Sequence, residues 1–144
     1  MDSKERAVKS AAAMWADDHA SKWIGMVLGP VSEGTAVMEL KVQQHHCNGH
    51  GMCHGGVIFS LADSAFAFAC NSRNQATVAQ HNNISFIASG QVGDTLTAVA
   101  TEVSLTGRSG IYDVRVTNQD NKTIAEMRGL SRSIKGNLFS EDDQ

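Results

Sequence analysis

The chain has 144 residues, the size of one typical domain, and 42% of them are hydrophobic. With a single proline, this composition supports one packed core and excludes a disordered or collagen-like chain. The 12 basic and 15 acidic side chains give a net charge of -3. Because nucleic-acid binders are typically basic, we expect no nucleic-acid partner.

Cysteine usage and the N-terminal sequence indicate the cellular compartment. Cys47, Cys53 and Cys70 are too few and too odd in number for a disulfide framework, which is typical of a reducing compartment. Residues 1 to 10 are mixed in charge and acids interrupt the next apolar run, so we expect no secretory signal. No apolar stretch approaches the roughly 18 residues of a membrane-spanning helix. The sequence predicts a cytoplasmic protein with no membrane partner.

The first part of the chain predicts a helix and then a strand. Residues 3 to 16 are rich in helix formers, and their apolar side chains lie roughly on one side at Ala7, Ala11, Met14 and Trp15. Residues 35 to 43 alternate in polarity, as expected of a half-buried strand. Its predicted inward side chains are Met38, Leu40 and Val42.

A second helix is predicted from Gly55 to Asn71. Eleven of the 14 residues from Val57 to Cys70 are apolar, and the polar exceptions form one narrow stripe at Ser60, Asp63 and Ser64. Such a helix must be buried on nearly all sides. About 14 residues rise roughly 21 Å, which is too short for a bilayer, so we expect protein to surround it.

Four strand-like runs follow this helix, at residues 77 to 88, 95 to 105, 110 to 118 and 122 to 134. Short, turn-forming connections predict that successive strands are antiparallel neighbours. The fold class is therefore α+β, with an antiparallel sheet curved around a central helix. We expect one domain over residues 1 to 144, with an N-terminal helical segment at about 3 to 24, a core at about 25 to 136 and an acidic tail at 137 to 144.

Asp63 is the candidate catalytic residue because it is the only formally charged side chain between Lys41 and Arg73. A carboxylate in an apolar helix either has a raised pKa or faces a cavity, hydrogen-bond donors or an interface. The purely structural alternative is a carboxylate that accepts hydrogen bonds from backbone groups or from Ser60 or Ser64.

A polar, glycine-rich loop from Asn48 to His54 leads into the helix at Gly55 and Gly56. The first N–H groups of a helix have no internal partner, so these glycines can present donors to a polarised carbonyl. Asp63 lies about two turns further on, roughly on the same face. A donor pair and a carboxylate are the groups that carbonyl hydrolysis needs, as oxyanion site and as nucleophile or general base.

Several separated motifs carry a family resemblance over about residues 25 to 136. They are Asn48, HGG at 54 to 56, LAD at 61 to 63, AFA at 65 to 67 and GDTL at 93 to 96. In this order and spacing the sequence resembles the hotdog-fold thioesterases, in the PaaI branch that is named for phenylacetate degradation. The resemblance implies a helix inside a curved sheet, with subunits that pair into a homodimer and commonly a homotetramer.

The resemblance also implies roles for individual residues. Asp63 matches the acid that attacks the thioester carbonyl or activates water, and the residue types leave both routes open. Gly55 matches the glycine whose N–H forms the oxyanion site. Asn48 matches the residue whose side-chain amide assists, and His54 matches a supporting loop histidine. In this family the site lies across the dimer interface, so these residues are expected to come from two subunits.

The implied substrate is an acyl-CoA thioester, with aromatic acyl groups such as phenylacetyl or hydroxyphenylacetyl suggested by the branch. The protein would then need no cofactor beyond the CoA of its substrate. For the CoA phosphates we favour the turn at 107 to 110, whose amides and nearby cations suit an anion. The candidate substrate and CoA contacts are Gly56, Ser64, Arg108, Ser109, Arg132 and Lys135.

Two rival interpretations stay open. One is a metal site, because histidines and cysteines crowd residues 45 to 54; we disfavour it and expect no metal, since Cys47 and Cys53 lack paired C-x2-C spacing. The other is a non-catalytic acyl-CoA binding module that uses the same groove, with Asp63 as a simple hydrogen-bond acceptor.

Overall fold

The computed structural model describes residues 1 to 142 and consists of one curved sheet, one long helix and two N-terminal helices. The helices are α1 (Ser3–Ala16), α2 (His19–Ile24) and α3 (Gly55–Cys70), with a short 3-10 turn at Gln44–His46. The strands are β1 (Val27–Ser32), β2 (Thr35–Lys41), β3 (Thr77–Phe86), β4 (Thr95–Thr106), β5 (Ser109–Thr117) and β6 (Thr123–Ser133). The predicted α+β class is confirmed.

The six strands form one antiparallel sheet in the order β1-β2-β4-β5-β6-β3. The expectation that successive strands are neighbours holds from β4 to β6 but is wrong for β3 and β4. β4 pairs with β2, with Leu40 opposite Leu96, and β3 takes the outer edge of β6. Residues 87 to 94 connect β3 to β4 and can cross β6 and β5, because eight extended residues span about 27 Å. The three strand spacings between β3 and β4 need only about 14 Å.

The sequence patterns missed β1 and did not resolve α2 as a separate helix within the N-terminal helical segment expected at about 3 to 24. Gly29 and Pro30 sit in the middle of β1, and both residues normally argue against a strand. Pro30 is tolerated because β1 is an edge strand, where an N–H is not needed on the outer side, and a bulge lies between Leu28 and Val31. α2 has six residues, too few for a periodicity to be read.

The core forms where α3 packs on the concave face of the sheet. The inward side chains predicted for the strand at residues 35 to 43, namely Met38, Leu40 and Val42, are all at most 1% exposed. Leu61, Phe66 and Phe68 supply the matching face of α3, and α1 covers one side, where Trp15 meets Phe68 at 6.2 Å between ring centroids. Burying these large apolar side chains contributes about 1.5–3 kcal/mol each, which makes this layer the main stabilising element.

One face of α3 is not covered. Gly56 is exposed, and Ser60, Asp63 and Ala67 are half-buried, at the spacing of one helical stripe. We expected this helix to be enclosed on nearly all sides, and the stripe departs from that expectation because the sheet and the N-terminal helices wrap only the rest of its circumference. No helix within residues 1 to 142 is long and apolar enough to cross a membrane.

Candidate active site

The loop before α3 is shaped by the side chain of Asn48. Its Oδ1 accepts hydrogen bonds from the backbone N–H groups of His50 (2.9 Å) and Met52 (3.2 Å). Since only an oxygen can accept from both, the network also fixes the orientation of the amide. Its Nδ2 has no partner within residues 1 to 142. Asn48 therefore holds the loop with one end of its amide and leaves the other end able to donate.

His54 caps α3 through its ring. The Nδ1 atom accepts a hydrogen bond from the Gly56 N–H at 2.8 Å, and the His54 carbonyl accepts the first bonds of the helix. The Gly56 N–H is thus occupied by His54 and does not point to a ligand. The Gly55 N–H has no partner in the described part of the chain. Of the two predicted backbone donors, the geometry leaves Gly55 available.

Asp63 lies on the uncovered stripe of α3 and is half-buried. Its Oδ1 accepts a hydrogen bond from Asn82 Nδ2 on β3 at 2.8 Å. Burial raises the pKa of Asp63 above the ordinary aspartate value, and the hydrogen bond from Asn82 acts in the opposite direction. A carboxylate in this position is a stronger base than an exposed one and remains accessible from one side.

Asn82 is the site residue that sequence reasoning missed. It sits opposite Gly129 in the β3–β6 ladder, and a Cβ at Gly129 would lie 2.9 Å from Asn82 Oδ1, so the glycine makes room for the amide. Asn82 Oδ1 is buried without a partner among the described residues. Strand alternation could place Asn82 on the same side as Ile84, but it could not show the contact with Asp63, which depends on the packing of α3 on β3.

Asp63 and Gly55 of one chain do not meet around a single carbonyl. They are eight residues apart on α3, which corresponds to about 12 Å along the helix. A nucleophile or base and an oxyanion donor must both lie about 3 Å from the reacting group. The single-helix geometry suggested by the sequence is therefore too long for direct catalysis within one chain.

Four of the predicted phosphate contacts lie together at one end of the sheet. Ser109 pairs with Arg132, and the Arg108 guanidinium donates to the Ser133 carbonyl at 2.9 and 3.2 Å. Lys135 lines the same open depression as Arg108. Except for the half-buried Ser109, these predicted contacts are exposed.

This cationic end lies far from Gly55 along β3. Ser133 pairs with Thr77, which is five residues or about 16 Å from Asn82. Gly55 lies at the other end of β3, where an added Cβ would be 3.2 Å from the Phe86 ring. Within one chain, the cations and the loop donors therefore flank Asp63 from opposite ends.

Ser64 and His46 have structural partners. Ser64 Oγ is 2.9 Å from Ser21 Oγ on α2, which ties the N-terminal segment to α3. The buried His46 ring accepts from the Gln43 N–H at 2.9 Å and so donates from Nε2 to the Ile24 carbonyl at 2.6 Å. Residues 1 to 142 contain no group of three or more His, Cys, Asp or Glu side chains placed to hold a metal.

A family comparison agrees with this fold and site. The thioesterase superfamily matches residues 50–125, a range that contains the whole of α3, β3, β4 and β5 and the start of β6. The chain belongs to the thioesterase superfamily, and its sheet and central helix form the hotdog fold.

Individual relatives cover nearly the whole chain. The acyl-coenzyme A thioesterase PaaI of Escherichia coli K12 is 43% identical over 136 residues, which cover 94% of this chain and 97% of that protein. The solved structure of the E. coli PaaI protein from the phenylacetic acid degradation operon matches with a TM-score of 0.93 and 42% identity, over 94% of this chain and 99% of that one. The predicted membership of the PaaI-like thioesterases is confirmed, and the chain is a thioester hydrolase.

A more distant structure is that of a Streptococcus mutans UA159 protein bound to acetyl-CoA. It matches with a TM-score of 0.75 and 25% identity, over 78% of this chain and 91% of that one. The same fold thus accommodates a CoA thioester in that protein.

Proposed function

We propose that the protein hydrolyses acyl-CoA thioesters, with Asp63 as the catalytic carboxylate. The observation that carries the proposal is the half-buried Asp63, whose raised pKa and open side lie on a helix that begins with the unpaired Gly55 N–H. The E. coli relative named as an acyl-CoA thioesterase supports the substrate class. Because all three cysteines are unpaired thiols, a reducing cytoplasm is the compartment that suits the protein.

We further propose that two copies share each site. Pairing between two copies requires an uncovered strand at the edge of the sheet, and the two edges differ in this respect. β1 is short, carries Pro30 and is covered by α1, from which Lys4 donates to the Val31 carbonyl at 2.6 Å. β3 has ten residues, and its outer edge has no strand partner within residues 1 to 142. An uncovered edge of this length is a pairing surface.

The side chains around the β3 edge support a second copy as its partner. Val78, Phe86 and Ile87 are 46%, 54% and 56% exposed, and Asp63 on the uncovered stripe of α3 contacts the same strand through Asn82. Antiparallel pairing of β3 with its counterpart would carry the loop of one copy toward Asp63 of the other. A homodimer would thereby remove the separation of about 12 Å between Gly55 and Asp63 of one chain. Two such dimers would make the expected homotetramer.

In the proposed reaction, the Gly55 N–H and Asn48 Nδ2 donate to the thioester oxygen and stabilise the negative charge that develops on it. Asp63 of the facing subunit removes a proton from water, whose oxygen attacks the carbonyl carbon. The C–S bond then breaks, and the CoA thiolate takes up the proton. His54 supports this arrangement by keeping α3 capped at Gly56. The exposed Arg108, Arg132 and Lys135 are proposed to bind the CoA phosphates.

A covalent route uses the same carboxylate as the nucleophile and forms an acyl anhydride on Asp63 before water releases the acid. The two routes differ in one observable. Acid-quenched protein from a single turnover carries the added mass of the acyl group in the covalent route and no added mass in the water route.

Aromatic acyl groups are the proposed substrates. Phe86 is 54% exposed and packs against Gly55, and Phe59 is half-buried one turn into α3. These rings offer an apolar surface beside the carbonyl site. Phe66, also considered from the sequence, is fully buried against Tyr112 and belongs to the core.

The test is thioester hydrolysis by the parent and Asp63→Asn, with phenylacetyl-CoA, hydroxyphenylacetyl-CoA, benzoyl-CoA, acetyl-CoA and a long-chain acyl-CoA. We expect the aromatic esters to give the highest kcat/KM in the parent. The amide is expected to lower kcat by on the order of 100-fold or more, because it cannot accept a proton or attack carbon. Tight binding of the esters without turnover by the parent would instead favour the binding-module interpretation.

A further inference from the structure

Cys47 and Cys53 face each other across the base of the active-site loop. They form an isolated antiparallel bridge, flanked by the hydrogen bonds from Asn48 N–H to the Met52 carbonyl and from His54 N–H to the His46 carbonyl, both 2.8 Å. This pattern makes them a non-hydrogen-bonded pair, in which Cα atoms lie about 4.5 Å apart. Disulfides need a Cα separation of about 4.4–6.8 Å, so the backbone already meets the requirement.

The two side chains also lie on the same side of the bridge. Directly opposed residues of an antiparallel pair project to one face. In agreement, Cys53 is 5% exposed within the hydrophobic core, and Cys47 is partly buried and packs against that core. Cys70 lies at the other end of α3, 15 residues from its start. The bridge therefore brings together two thiols and leaves the third apart.

We propose that Cys47 and Cys53 form a reversible disulfide that closes residues 48 to 52 into a ring and lowers hydrolytic activity. Peroxides are the proposed oxidant class. The activity effect rests on the function proposed above, whereas formation of the bond does not.

The chemistry balances with one hydrogen peroxide. The more exposed Cys47 reacts first as its thiolate: its sulfur attacks the peroxide, the O–O bond breaks, and hydroxide leaves and takes up a proton, so that a sulfenic acid and water result. The Cys53 sulfur then attacks the Cys47 sulfur, the S–O bond breaks, and the departing hydroxide takes the Cys53 proton to form the second water. Burial raises the pKa of Cys53 to about 11, which disfavours Cys53 as the thiolate that attacks the peroxide and leaves that first step to the more exposed Cys47.

The bond would displace the groups that the loop positions. In a non-hydrogen-bonded pair the Cβ atoms lie at the short end of about 4.5–5.5 Å, and a disulfide holds them at about 3.8 Å, so the two sides of the loop must approach by roughly 0.7 Å. Asn48 and His54 directly follow the two cysteines. Displacements of this size in a positioning group can cost up to about 100-fold in rate. We expect oxidation to lower kcat on the order of tenfold or more.

The experiment treats the full chain with hydrogen peroxide, removes the excess and measures intact mass, thiol content and hydrolysis. The expected result is a loss of about 2 Da and of two thiols, a peptide linking residues 47 and 53, and reversal of all effects by dithiothreitol. Cys70→Ser should behave like the parent. Cys47→Ser should keep the hydrolysis rate of the reduced parent and resist inactivation by peroxide.

Two outcomes would overturn the proposal. Oxygen atoms added to Cys47 with no linked peptide would show that the pair does not close, whatever the enzyme hydrolyses. A linked peptide accompanied by unchanged hydrolysis would overturn the effect on activity. If the reduced parent hydrolyses none of the esters, the proposed function fails, and the mass and thiol measurements still decide whether the bond forms.

Discussion

At the scale of single residues, two opposing effects set the pKa of Asp63. Burial raises its pKa and the Asn82 hydrogen bond lowers it, because the bond stabilises the charged carboxylate. Removing that bond in Asn82→Ala should raise the pKa further. Since the reaction needs the carboxylate, the acidic limb of the profile of kcat/KM against pH is expected to move to higher pH.

Asn83→Ala is the matched control for this shift, because Asn83 is the exposed neighbour of Asn82 on β3 and makes no contact with Asp63. Its acidic limb should coincide with that of the parent. An Asn82→Ala profile with a lower maximum but an unmoved acidic limb would contradict the role of Asn82 in holding the Asp63 charge.

At neutral pH the ionised carboxylate of Asp63 is expected to destabilise the folded protein. A raised pKa in the folded state means that the folded protein holds this proton more tightly than the unfolded chain does. The protonated carboxyl group of Asp63 therefore contributes its full stabilisation below the unfolded-state pKa. This stabilisation is lost as the pH rises through the folded-state pKa. Asp63→Asn, whose amide oxygen still accepts from Asn82, should raise Tm relative to the parent at pH 7.5 and lose that advantage at acidic pH. Equal Tm differences at both pH values would contradict this account.

At the scale of elements, Asn71 joins the end of α3 to the start of β3. Its side chain accepts from the Thr77 N–H at 2.9 Å and donates to the carbonyls of Thr77 (3.0 Å) and Ala67 (2.9 Å), and it is 3% exposed. Asn71→Ala would leave buried backbone groups unpaired, and we expect it to cost about 2–4 kcal/mol of unfolding free energy. Chemical denaturation measures this change.

The exposed Asn83→Ala provides the reference for this comparison as well and should change the free energy by less than about 0.5 kcal/mol. If Asn71→Ala unfolds at the same denaturant concentration as the reference, the junction does not stabilise the fold as described.

The elements also show how far the sequence could be interpreted. Periodicity located α3 and β2 because their buried faces repeat regularly, as Met38 and Leu40 illustrate. It could not assign β3 to the far edge, because pairing depends on which edge is open once β2 has taken β4. It missed β1 because the tolerance of an edge strand for Pro30 is a property of the sheet and not of the local sequence.

The residues of the candidate site also differ in whether the sequence alone could identify them. Asp63 was identifiable as a charge isolated in an apolar segment, and its partner Asn82 was not, because the contact depends on the packing of α3 on β3. Likewise, sequence spacing treated Gly55 and Gly56 as equal donors. The structure distinguishes them, because the His54 ring accepts from the Gly56 N–H.

At the scale of the whole molecule, the account requires that two copies complete one another. Asn48 and Gly55 lie on the loop side, Asp63 lies about 12 Å along the helix, and the long unpaired edge of β3 is where a second copy would pair. A variant without the loop donor and a variant without the carboxylate should then rescue each other. Asn48→Asp is the loop variant of choice, since it keeps the oxygen that accepts from the His50 and Met52 N–H groups and removes the donor.

The deciding measurement mixes equal amounts of Asp63→Asn and Asn48→Asp, each expected to be nearly inactive, and exchanges their subunits in mild denaturant before the hydrolysis assay. In a shared site, half of the dimers are mixed and each carries one intact site, so about a quarter of the parent rate should return. Asp63→Asn mixed with Asp63→Ala is the control and should recover nothing. Mixed dimers seen by native mass spectrometry without any recovered hydrolysis would contradict a site in which Asp63 and the loop donors of two subunits act on one thioester.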